Sequence, residues 1–127
     1  MADAHDWDKV LALYSKLERG EALSFDTDVS DLCRRVAQDV AVSNDDFENA
    51  SKTPSGVETL VRELRRRIFE GSRRLSRALA NSARLKDTGD MAGARATLES
   101  VLVTEVVPLY REQVEIALSY VDEPEEP

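Results

Sequence analysis

With one cysteine and one histidine among 127 residues, the chain has few reactive groups from which to build catalysis or metal binding. Cys33 has no partner for an internal disulfide, and one Cys with one His cannot assemble a Cys/His metal site. Glycine and proline are also scarce, at five and four. No glycine-rich phosphate loop, nucleophile elbow or dinucleotide fingerprint occurs, so the sequence marks of those nucleotide-binding and hydrolase classes are missing. No apolar run approaches the roughly 20 residues that cross a bilayer. The opening MADAHDWDK lacks the basic and apolar segments of a secretory signal. A soluble, cytoplasmic protein is therefore expected, and a lone thiol suits a reducing compartment.

What remains is an ordinary globular composition, 42% hydrophobic and 33% charged, of a length that suits one domain. A chain of this size buries roughly two-thirds of its unfolded surface without metals or disulfides. The charge is unevenly placed. Residues 57–86 hold nine Lys and Arg against three Glu, whereas the remainder holds eight basic residues against 22 acidic ones, for a net charge of −8. The acidic total repels nucleic acid and anionic membrane at long range, so a membrane is not expected as a partner and nucleic acid is disfavoured.

Apolar residues recur at helical spacing throughout. A first helix is expected after Asp6, which would cap it, with Trp7, Val10, Leu11, Tyr14 and Leu17 on its apolar face and Gly20 as its stop. After a link at 21–27, a second helix begins near Asp28 and runs to about Val40, facing Val29, Leu32, Cys33, Val36, Ala37 and Val40 inward. Ser43 with Asp46 opens a short helix to Ala50. Thr53-Pro54, with a second capping box at Ser55-x-x-Glu58, starts a long helix of about 30 residues. Gly71 interrupts that helix at about 1 kcal/mol relative to alanine. Asp87-Thr88-Gly89-Asp90 reads as a tight turn, with Asp90 capping the last helix. That helix would bury Met91, Ala94, Leu98, Val101, Leu102, Leu109, Val114, Ala117, Leu118 and Val121, and Pro108 should kink it or split it. The fold class is thus all-α. It is expected as a bundle of four to five helices with a long antiparallel C-terminal hairpin, in one domain over 1–121, followed by a disordered acidic tail at 122–127.

The long helix carries the strongest pattern. Eight arginines fall between Arg62 and Arg84. At about 100° per residue, Arg62, Arg66, Arg73, Arg77 and Arg84 lie within a stripe roughly 60° wide. Val57, Leu60, Leu64, Ile68, Leu75 and Leu79 lie on the opposite side, so one face is to be buried and the other presents a cationic ridge. Two readings stand. The ridge is a solvated face, its repulsion eased by Glu63, Glu70 and acids of neighbouring helices, or it docks a partner through the bidentate pairing that arginine favours. Phe69, at the edge of the stripe, is either an aromatic anchor within that surface or lies under the first helix.

No residue is assigned a catalytic role. His5 is expected as a solvent-exposed group, and Cys33, on an apolar helix face, as a buried small hydrophobe. Asp26-x-Asp28-x-Ser30 begins like a calcium loop, but Asp31 stands where glycine is required and Ala37 where glutamate closes it, so no metal is assigned. No cofactor is expected, and the chain reads as a non-enzyme.

The run Leu64-Arg65-Arg66-Arg67-Ile68-x-Glu70-Gly71-Ser72-Arg73-Arg74-Leu75-Ser76-Arg77-Ala78-Leu79 resembles the core of the DUSAM domain family. So do Asp90-x-x-Gly93-Ala94-Arg95 and Val106-Val107-Pro108-x-Tyr110-Arg111. The family occurs as many paralogues in myxobacteria, and the likeness runs from Trp7-Asp8 to Tyr120. It implies a small intracellular bacterial protein and, the family being of unknown function, transfers no site residues. Three functions are weighed. The first is a protein-interaction module whose ridge, Arg62, Arg66, Phe69, Arg73, Arg77 and Arg84, docks an acidic partner or a second copy in a homodimer. The second is an immunity- or antitoxin-like protein whose acidic surface neutralises a basic toxin. The third, disfavoured by charge and by the lack of stacking aromatics, is nucleic-acid binding.

Overall fold

The computed structural model describes residues 4–121. These form six helices: α1 (Ala4–Glu18), α2 (Thr27–Asp39), α3 (Asn44–Ala50), α4 (Pro54–Asp87), α5 (Met91–Thr104) and α6 (Pro108–Val121), with no strand among the described residues. The protein is all-α, with more helices than the four or five expected. The acidic tail at 122–127 lies outside the described residues. The chain divides into two compact units, Met1–Phe69 and Glu70–Pro127, and the division falls within α4.

In the first unit α1 packs on α2 and α2 on α3. Val10, Leu32, Cys33, Val36, Ala37, Val40, Phe47, Val57, Leu60, Val61 and Leu64 are buried, as the apolar spacing of each helix requires. Asp6 does not cap α1. It lies within the helix, buried, and its carboxylate accepts two hydrogen bonds from Arg35 of α2 at 3.0 and 3.2 Å. The Trp7 indole donates to Asp39 at 3.2 Å beside it. Asp26, which opens the calcium-like string to which no metal is assigned, is the cap of α2, accepting from the Val29 amide at 2.9 Å. Ser43 caps α3 through the Asp46 amide, and Thr53 caps α4 through the Gly56 amide. Ser55 falls inside α4 rather than forming a second box.

Three helix ends share one device. A residue in the left-handed region lets the next amide reach back five residues: Gly20 before Glu21, Ala41 before Val42, and Gly89 before Asp90. Ala41, with φ of 64°, adopts this conformation despite its Cβ, a strain of roughly 1–2 kcal/mol. Arg67 of α4 compensates by donating to the carbonyls of Val40 and Ala41 at 2.9 and 3.0 Å, satisfying the end of α2.

In the second unit the later turns of α4 pack with α5 and α6 around Ala78, Ala94, Leu98, Val101, Val114 and Val121. The buried Ser82 hydroxyl donates to the Ala94 carbonyl at 3.1 Å, which satisfies the only polar atom its side chain brings to that contact. The expected long last helix is two helices. Pro108 has no amide to donate and starts α6 instead, where that amide is not needed. The expected hairpin of two long helices is therefore replaced by part of α4 with two shorter ones. The break also shifts the apolar register after it: Tyr110 is buried where Leu109 was expected, and Leu109 is exposed. Separately, Leu79 of α4 and Met91 at the start of α5, both expected inward, are exposed.

Glu105 holds the break. It is 3% exposed, and its Oε2 accepts from the amides of Val106 and Val107 at 3.0 and 3.1 Å. Arg111 donates to the carbonyls of Leu102 and Glu105 at 2.7 and 2.8 Å, closing the end of α5. Gly71 of α4 lies against this junction. A Cβ there would stand 2.6 Å from the Tyr110 ring and 3.0 Å from Glu105 Oε1. The mid-helix glycine is thus a close-approach residue within an unbroken helix.

Candidate functional site

The six ridge residues divide evenly between the units: Arg62, Arg66 and Phe69 belong to the first, and Arg73, Arg77 and Arg84 to the second. In the first unit Arg66 grips Glu63 with two hydrogen bonds at 2.9 and 2.6 Å, and Arg67 adds a third to the same carboxylate at 2.7 Å. Those hydrogen bonds, that of Arg66 foremost, hold the Glu63 carboxyl below its ordinary range against a smaller opposing effect of burial. Arg62 stands 3.9 Å from Glu18, an exposed pair worth little. Arg65 lies over the rings of both Phe69 and Tyr14, at 4.2 and 4.7 Å. Phe69 is 41% exposed with the guanidinium over its ring, so it is a stacking platform as well as a partly open surface.

In the second unit the arginines border a groove. Glu70, Arg73, Arg74, Arg77 and Asn81 rise from α4, and Thr97 and Ser100 face them from α5, around a cavity of about 450 Å³. Spacings of three and four bring the α4 members to one side of the helix, and Thr97 and Ser100 share a side of α5 for the same reason. The buried Ala78 and Val101 complete the lining. Arg77 is exposed and makes no hydrogen bond or ion pair among the described residues. Arg84 is exposed as well, on α4 outside the groove lining.

Arg74, Asn81, Thr97 and Ser100 were not among the expected site residues. Arg74 falls off the stripe, and its sequence signal was only its adjacency to Arg73 and its three-residue spacing from Arg77. Its Nε stands 3.9 Å from Oε1 of Glu105, a buried oxygen with no hydrogen-bond partner. The guanidinium is therefore drawn toward a buried carboxylate by charge, without a hydrogen bond. Tyr110, packed beside the same carboxylate, has its phenol pushed up by burial and further by the charge of Glu105.

The groove presents three arginines against one glutamate, with an amide and two hydroxyls. Such a set can hold an anion, but it contains no nucleophile with an adjacent base. The one thiol, Cys33, is buried in α2 and pushed up to about 11 by desolvation. His5 is exposed on α1. Among the described residues no group of three or more His, Cys, Asp or Glu could hold a metal ion, and no helix is long and apolar enough to cross a membrane.

Fold and site together define an all-helical protein with an arginine-lined groove in its second unit. A family model described as a protein of unknown function (DUF2379) matches residues 5–121, and the chain belongs to that family. No curated protein and no solved structure shows significant similarity to it.

Proposed function

We propose that the protein is a non-catalytic protein-interaction module that docks an acidic partner on the arginine face of its second unit. The observation that carries this reading is the clustering of Arg73, Arg74 and Arg77 around one groove, three guanidiniums against Glu70 in the lining and Glu105 buried behind Arg74. Like charges gathered this closely repel, and a partner's carboxylates or phosphates relieve that repulsion through charge-assisted pairing. Arginine's fixed fork of donors gives such pairing direction as well as charge. The strings Leu64–Leu79, Asp90–Arg95 and Val106–Arg111 support the finer assignment to the DUSAM proteins of bacteria, and a lone buried thiol accords with a cytoplasmic setting.

Affinity capture from source-cell lysate, run beside an Arg73→Glu/Arg77→Glu variant and with nuclease-treated lysate, tests the reading. A protein retained by the parent chain, lost by the variant and indifferent to nuclease supports it. If that protein is the chain itself, the partner is a second copy. Identical recoveries from parent and variant refute the reading, and loss on nuclease treatment reassigns the groove to nucleic acid.

A further inference from the structure

We propose that the groove between α4 and α5 is a phosphoryl-binding site, and that the docked partner presents a phosphorylated side chain to it. The inference rests on the docking reading and narrows it to one ligand chemistry.

Charge is the first reason. Arg73, Arg74 and Arg77 outnumber the two carboxylates near them, Glu70 in the lining and Glu105 buried behind Arg74, so the groove stays cationic. A phosphomonoester carries about 1.5 to 2 negative charges at neutral pH over three terminal oxygens, so it can engage several guanidinium forks at once where a carboxylate engages one. The neutral donors are the second. A phosphoryl group has three terminal oxygens with more acceptor capacity than the guanidiniums fill, and the groove supplies Asn81 and Thr97 for the rest. Ser100 contributes less, because its hydroxyl hydrogen is committed to the Thr97 carbonyl at 2.7 Å.

Glu105 is the third and most specific reason. Its side chain is 2% exposed, one oxygen is occupied by two backbone amides, and the other has no hydrogen-bond partner 3.9 Å from Arg74. A buried carboxylate in this position holds Arg74 at the groove by charge while leaving its N–H fork unengaged by hydrogen bonds. The buried Ala78 and Val101 beside it exclude water from one side, which strengthens the field that an entering anion meets. Arg74 is in this sense oriented from behind before any ligand arrives.

The test is a titration of the full chain, followed by amide and arginine side-chain NMR at constant ionic strength. The ligands are inorganic phosphate, acetate, a short alanine peptide carrying one phosphoserine, and its glutamate counterpart. Saturable shifts at Arg74, Arg77 and Thr97 with the phosphoserine peptide, absent with acetate, are expected. Arg77→Gln should weaken that peptide roughly tenfold, Thr97→Val should weaken it by a smaller factor, and Arg84→Gln, outside the groove, should leave it unchanged. Glutamate and phosphoserine peptides binding equally, both lost in Arg73→Glu/Arg77→Glu, would overturn the phosphoryl inference and leave acidic docking standing. Inorganic phosphate binding as tightly as the phosphoserine peptide would overturn the assignment to a phosphorylated protein. No response to any of the four overturns the inference outright, while the capture experiment judges the docking reading separately.

Discussion

Helix α4 carries one short pattern twice, Glu63-x-x-Arg66-Arg67 and, seven residues later, Glu70-x-x-Arg73-Arg74, and the two copies serve different ends. In the first unit Glu63 gathers both of its arginines, and Arg67 continues to the end of α2. These arginines are structural: they close a helix terminus and satisfy one another's surroundings. In the second unit Arg74 turns toward Glu105 instead and lines the groove with Arg73 and Arg77. The difference does not lie in the repeat. It lies in what the neighbouring chain supplies, carbonyls at the end of α2 in one case and a buried carboxylate at the α5–α6 break in the other.

The largest expected effects test whether each unit owns its site. Leu64→Ala in the first unit and Leu98→Ala in the second each truncate a side chain at 0% and 1% exposure. Each should lose about 3 kcal/mol in urea denaturation. Only Leu98→Ala, next to the groove's floor, should also weaken anion binding in the folded protein; equal weakening by both would erase the distinction. Next comes Gly71→Ala, for which helix propensity alone forecasts a gain of about 1 kcal/mol. The Tyr110 ring, 2.6 Å from the new methyl, should reverse that into a net loss of about 1–2 kcal/mol, read as a lowered urea midpoint. A gain would mean that the junction yields readily.

Ala41 supplies the opposite case in the first unit. Ala41→Gly removes a Cβ from a left-handed position and should stabilise by about 1 kcal/mol, visible as a raised urea midpoint. The smallest effect belongs to Glu63. Its folded pKa lies below the ordinary value of 4.5, so its contribution is present above about that pH and is lost as pH falls through the folded value. With the side chain 32% exposed, the contribution is about 0.5 kcal/mol. Urea midpoints at about pH 6 and about pH 3 should therefore converge slightly in Glu63→Gln. An unchanged difference would show that Arg66 and Arg67 do not depend on this carboxylate.

Much of the fold was legible because it is local. The caps at Ser43, Thr53 and Asp90, the turn at Gly89 and the buried spacings of α1, α2 and early α4 all follow from neighbours within one or two turns. What could not be read was long-range. Asp6 resembles a cap until Arg35, 29 residues away, is placed beside it. Pro108 permits either a kink or a break, and the choice falls to Glu105 and Arg111, whose hydrogen bonds support two helix ends at once. The same limit governs the site. Periodicity brings Arg73, Arg74 and Arg77 to one side of α4, but the buried carboxylate that faces Arg74 lies 31 positions later and is not legible from it.

Glu105 touches or closely faces residues from three segments: Arg74, Val106 and Val107 directly, with Gly71 and Tyr110 packed at the same point. Such a knot constrains drift. Enlarging residue 71 requires a smaller ring at 110, and neutralising residue 105 removes the charge that holds the residue 74 guanidinium at the groove. In a diverging lineage these positions should change together or not at all, while the exposed Arg84 is free to vary alone.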